Sequence, residues 1–131
     1  MKNLSYEDLL DEAFDSGFTV KEKDLQGSDG RIAGNRIAIR KTLDTSKQKM
    51  CVLAEELGHS ATGTGDILDQ SDLLAQKDEL KGRKWAYNKV IPFQRILDAL
   101  QHGYRYTYDI ADYLDVDEKF LRDALQAYGL L

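Results

Sequence analysis

Leu53-Ala54-Glu55-Glu56-Leu57-Gly58-His59 is the stretch from which the rest of the chain takes its order. Helix-forming residues lead into it from Lys47, Asp44-Thr45-Ser46 offers N-cap side chains before it, and Thr62-Gly63-Thr64-Gly65-Asp66 breaks the run after it. Upstream, Tyr6, Leu9, Leu10, Ala13 and Phe14 recur at helical spacing opposite Glu7, Asp8, Asp11 and Glu12, and Gly17 stops that helix. Phe18 to Glu22 then alternates in β-forming residues, and Gly34-Asn35 separates two short β-type runs as a tight hairpin turn does. Downstream, Ser71-Asp72 caps a long helix to about Val90. Pro92 opens a helix whose buried stripe is Phe93, Ile96, Leu97 and Leu100, and two short helices follow, Thr107 to Leu114 and Asp117 to Tyr128. The expected architecture is α+β: an amino-terminal helix, a small three-stranded antiparallel sheet, two helices across it, and a helical carboxy-terminal subdomain. One domain spans 1–131, divided into 1–92 and 93–131.

Composition narrows the function classes. The chain has 131 residues, 42% hydrophobic and 31% charged, which suits one modest core. A formal charge of −5 denies it a chain-wide electrostatic footprint for nucleic acid. The single Cys51 has no second thiol for a disulfide or a CxxC zinc site, which points to a reducing, cytoplasmic setting. Glu7 and Asp8 stand where a signal peptide needs an apolar centre, and no apolar run approaches the roughly 20 residues of a membrane span.

Glu55 and His59 are four residues apart, hence about 40° from each other on one helix face and able to grip one ion together. This is the logic of the HExxH zinc peptidase helix, with Glu55 in place of the first histidine and Glu56 in place of the intervening base. Carboxylate oxygen is a legitimate zinc ligand. The competing reading is an ordinary solvated Glu-Glu helix with His59 as a C-terminal capping residue. On the long helix, Ala75, Glu79, Gly82 and Ala86 make a small-residue stripe interrupted by one carboxylate. A carboxylate facing a close helix contact is costly unless paired or bound to a cation, so Glu79 is the natural third ligand; its alternative is a solvent-facing pair with Arg83. Cys51 lies about 12 Å from His59 along a helix, too far to share a zinc ion, and reads as a small buried residue. His102 reads as a helix-end residue, Asp66 and Asp69 as turn and cap residues ahead of hydrogen-bond acceptors for His59, Trp85 and Tyr87 as core or interface aromatics, and Tyr104, Tyr106 and Tyr108 as core ahead of an oxyanion donor.

Leu53 to His59, followed by Gly65-Asp-Ile-Leu-Asp69, Lys77-Asp-Glu79, Arg83-Lys-Trp-Ala86 and Ile91-Pro92, resembles the ImmA/IrrE family of metallopeptidase-like proteins, especially its short bacteriophage and mobile-element versions. The resemblance extends over nearly the whole chain. It implies a zincin-like helix pair, a zinc or other divalent ion on Glu55, His59 and Glu79, and Glu56 as catalytic base. It also implies a bacterial cytoplasmic setting and relief of repression through cleavage of a helix-turn-helix repressor. The alternative is a catalytically weak module that acts as an antirepressor by docking on that repressor.

The segment from Ile110 to Ala124 has a helix-turn-helix look, with Ala111, Leu114 and Val116 at packing positions. From Thr107 to Leu131 six acids face only Lys119 and Arg122, a net of −4. A second helix opening on Asp117-Glu118 repels phosphates, so this segment is expected to dock protein and not to bind DNA directly.

Overall fold

The computed structural model describes residues 3–63 and 72–131, the side chains of 72–76 excepted. Helix α1, Tyr6–Asp15, begins with a capping box in which Ser5 Oγ accepts from the Asp8 amide and the Asp8 carboxylate accepts from the Ser5 amide, both at 3.1 Å. It buries Leu9 and Ala13. Strands β1 (Thr19–Lys23), β2 (Gly30–Ala33) and β3 (Arg36–Arg40) follow, with β2 and β3 joined by the expected two-residue turn at Gly34, whose φ is 59°, and Asn35.

The sheet is mixed, not antiparallel. Its order is β1-β3-β2, with β2 antiparallel to β3 and β1 parallel to it. The physical reason lies in the connection from 24 to 29, which crosses the end of β3 and carries the chain to the far edge before it returns. Arg40 pins that crossing: its Nε and Nη2 donate to the Ser28 carbonyl at 3.2 and 2.8 Å, and its amide donates to the Asp29 carbonyl at 2.8 Å. The edge of β3 left open by the hairpin is then filled by β1. Val20, Ile32, Ile37 and Ile39 share one face of the sheet, and the last two are buried.

Helix α2, Ser46–Thr62, lies on that face. Thr45 Oγ1 caps it by accepting from the Gln48 amide at 3.1 Å, and Gly63 closes it in the left-handed region at φ 72°. Helix α3, Asp72–Val90, packs along α2 in the most extensive contact between any two elements. Helices α4 (Phe93–Gln101), α5 (Thr107–Leu114) and α6 (Glu118–Ala127) complete the chain, with Pro92 as the N-cap of α4 instead of its first residue. One hydrophobic cluster runs from Leu9 of α1 to Leu125 of α6.

The apolar stripe of α4 is narrower than its composition suggests. Ile96 and Ala99 are buried, but Phe93 and Leu97 are 40% and 41% exposed, because α5 and α6 cover only one side of the helix. Tyr104, Tyr106 and Tyr108 are likewise exposed and not core; the rings of Tyr106 and Tyr108 stack on each other at 5.5 Å instead. The segment before α1 is tied to α4 and α5: Asn3 Nδ2 donates to the Tyr113 carbonyl at 3.1 Å, and Arg95 Nη2 donates to Asn3 Oδ1. Lys89 of α3 pairs with Glu12 of α1 at 2.6 Å. Among the described residues, no helix is long and apolar enough to cross a membrane.

Candidate metal centre

The crossing of α2 and α3 is set by two glycines. A Cβ at Gly58 would collide with the backbone carbonyl oxygen of Gly82, and a Cβ at Gly82 would lie 2.5 Å from His59 Nδ1. Removing both side chains lets the helix backbones approach, and the imidazole of His59 fills the space beside Gly82. His59 is thereby buried in the last turn of α2 with its ring turned toward α3.

That placement brings together two of the three expected ligands. His59 Nε2 lies 3.3 Å from Glu79 Oε2, while the other Glu79 oxygen lies 3.4 Å from Arg83 Nε. Glu79 therefore faces the histidine across the helix crossing and also makes the pair with Arg83 one turn along. Two donors bonded to one tetrahedral zinc at about 2.0–2.1 Å stand roughly 3.3–3.4 Å apart, so the His59 and Glu79 atoms already have the separation of ligands sharing an ion.

Glu55 does not converge with them. Among the described residues, no three His, Cys, Asp or Glu side chains are gathered closely enough to hold a metal. Burial raises the Glu55 pKa above its ordinary value; Arg83 pulls the other way, the charges of Glu79 and Asp123 raise it further, and Lys119 opposes them. Glu55 thus sits in the electrostatic field of both α3 and α6. The donor chemistry fits a divalent cation at His59 and Glu79, with Glu55 near enough for its charge to be felt.

Glu56, on the flank of the pair, lies against the sheet. A Cβ at Gly30 would lie 2.5 Å from Val52 Cγ1, 3.2 Å from Glu56 Cγ and 3.3 Å from its Oε1, so the absence of a side chain at the start of β2 makes room for Val52 first and for this carboxylate beside it. Gly30 is a site residue that the hydrophobic pattern does not reveal. The available signal is a glycine opening a strand, which marks close approach of another group to the backbone. Burial, followed by the charges of Glu55 and Glu79, raises the Glu56 pKa to about 7.

A carboxyl whose pKa is raised on folding contributes stability that is complete below its ordinary value of 4.5 and is lost as pH rises through about 7. In metal-free protein, Glu56→Gln removes that loss. The melting temperature of the variant relative to the parent is expected to rise between pH 5 and pH 8 by about 3–8 °C, the equivalent of about 1–2 kcal/mol for a half-buried, partly screened group. Thermal unfolding in chelator at both pH values measures it; a constant difference would mean that Glu56 titrates normally.

Cys51 is buried, and burial pushes its thiol upward, so it is not poised as a ligand or nucleophile. His102 is the C-cap of α4, its Nδ1 2.8 Å from the Asp98 carbonyl. Tyr87 is buried and meets Phe120 edge-on at 5.1 Å, and Trp85 is half-buried against the core. Asp66 and Asp69 lie outside the described residues. In the α5–α6 segment both cations are engaged locally, Lys119 with Asp123 at 2.9 Å and Arg122 with Glu118 at 3.1 Å, while Asp117 Oδ2 accepts from the Phe120 amide as the N-cap of α6.

The family model described as an IrrE N-terminal-like domain, peptidase M78, matches residues 7–126. No curated protein and no solved structure matches the chain.

Proposed function

From the premise that the chain belongs to the peptidase M78 family of IrrE N-terminal-like domains, we propose that it is a zinc-dependent peptidase that relieves repression by cleaving a helix-turn-helix repressor in the bacterial cytoplasm. The observation that carries the reading is the His59 and Glu79 donor pair at 3.3 Å beside a carboxylate, Glu56, whose pKa is raised to about 7. His59 and Glu79 would hold the ion, and Glu55, one turn before His59 but not converged with them, would have to turn toward it to add a third donor. The ion, when bound, polarises the scissile carbonyl and acidifies water. Glu56 takes the proton of the attacking water and delivers it to the leaving amine. The zincin-like arrangement of helix pair and sheet is part of this reading, as is the single domain over 1–131.

One feature favours a second reading, in which the protein docks on the repressor without cutting it. Arg83 already pairs with Glu79, and Glu55 replaces the histidine of HExxH, so an internal cation competes with the ion for the carboxylates. Docking would use the acidic α5–α6 surface, with Asp109 and Asp112 free of the capping and pairing roles that occupy Asp117 and Glu118. No direct DNA binding is proposed for that surface.

Metal analysis of protein purified without added zinc, joined to a cleavage assay on the candidate repressor, tests the reading. One equivalent of metal and discrete repressor fragments are expected. Glu79→Gln should reduce the bound metal well below one equivalent, and Glu55→His should tighten zinc binding. Intact repressor in a complex with metal-loaded protein would favour docking; neither cleavage nor complex would end both readings.

A further inference from the structure

The face of the sheet turned away from α2 carries a charge opposite to that of the molecule. Strand alternation places Thr19, Lys21, Lys23, Arg31, Ala33, Arg36, Ala38 and Arg40 on it. Ala38, on the central strand, is the low point. Lys21 and Arg31 are its partners across the two neighbouring strands, each about 5 Å away at Cα, and Arg36 and Arg40 stand two residues before and after it, about 7 Å away. A small residue is thus ringed on four sides by cations, with Lys23 beside Arg40. The result is a shallow depression of about 460 Å³ whose lining contains four cations, Lys21, Lys23, Arg31 and Arg36, and no acid.

Arg40 is engaged with Asp29 at 3.4 Å and with the Ser28 carbonyl. Lys21, Lys23, Arg31 and Arg36 have no ion-pair partner among the described residues. In a chain of net charge −5, so many uncompensated cations on one small face call for a cause. Protection of exposed strand edges accounts for lysines on β1, but not for Arg36 on the central strand, which has no free edge.

We propose that this face binds an extended acidic polypeptide segment laid over the sheet. Charge complementarity supplies the attraction, and the geometry selects the class. An extended chain repeats its side chains every two residues at the same spacing as Arg36, Ala38 and Arg40, so alternate carboxylates all face the sheet and meet its basic side chains. Nucleic acid fits less well: the face carries no aromatic side chain on which a base can stack, and the acidic remainder of the molecule repels a long polyphosphate. The site lies on the opposite side of the sheet from Glu56 and stands whether or not that residue acts as a base.

The test uses the full chain and two probes, the peptide (Glu-Ala)₄ and a single-stranded oligonucleotide of eight nucleotides. Saturable peptide binding is expected at low salt, weakened several-fold between 50 and 300 mM salt, with amide shift changes concentrated at Lys21, Arg31 and Ala38. Lys21→Glu/Arg31→Glu should weaken it at least tenfold, and the milder Lys21→Gln/Arg31→Gln by less, while Lys84→Glu on the exposed face of α3 should leave it unchanged. Absence of saturable peptide binding, shift changes centred elsewhere, equal binding by the charge-reversed variant, or tighter binding of the oligonucleotide would each overturn the proposal.

Discussion

Glu56→Gln is expected to lower peptide hydrolysis by about 10²–10⁴-fold while leaving metal stoichiometry and partner binding intact. The substitution keeps the shape that Gly30 accommodates and removes only the basicity. A bound cation offsets the charges of Glu55 and Glu79 that help raise this carboxyl, so the acidic limb of the parent protein's rate should inflect below the metal-free value of about 7, and the residual rate of the variant should lose that inflection. A pH profile of kcat/KM on both proteins reads the result. An unchanged inflection in Glu56→Gln would place the base on another residue.

Gly58→Ala is expected to destabilise the fold by about 2–3 kcal/mol, a fall of about 6–15 °C in Tm, although alanine is the better helix former by about 1 kcal/mol. The new methyl would meet the Gly82 carbonyl, which belongs to the backbone of α3 and cannot rotate aside, so the two helices must part. Parting them also pulls His59 away from Glu79, and metal affinity should fall with stability. Gly82→Ala is the informative contrast. Its methyl meets the His59 ring first, a side chain and not backbone, so stability should suffer less than in Gly58→Ala while metal binding suffers as much. Equal stability of Gly58→Ala and parent would mean that the helices cross further apart.

Local pattern made most of this fold legible. The hairpin at Gly34-Asn35, the cap at Thr45 and the bounds of α5 follow from residues that act on their immediate neighbours. The mixed sheet did not follow, because β1 and β3 pair across 17 residues and the pairing depends on where the crossing at Arg40 directs the chain. The exposure of Phe93, Leu97, Tyr104, Tyr106 and Tyr108 was hidden for a related reason: apolar character states that a residue can be buried, not that a neighbour arrives to bury it. At the site, spacing and the small-residue stripe located His59 and Glu79. Spacing alone could not direct Glu55, whose surroundings include Arg83, Lys119 and Asp123 from two other helices.

The bridge from Asn3 to Arg95 and Tyr113 has a consequence for how the chain is made. The partners of Asn3 lie 92 and 110 residues later. At about 5–20 residues per second, synthesis delivers Tyr113 roughly 6–20 s after Asn3. Throughout that interval the capping box at Ser5 can form and the Tyr6 hydroxyl can reach Glu22, but Asn3 lacks its partner on α5. A ribosome that pauses between residues 95 and 113 therefore holds a nascent chain in which Asn3 can meet Arg95 alone, and completion of α5 adds the second bond.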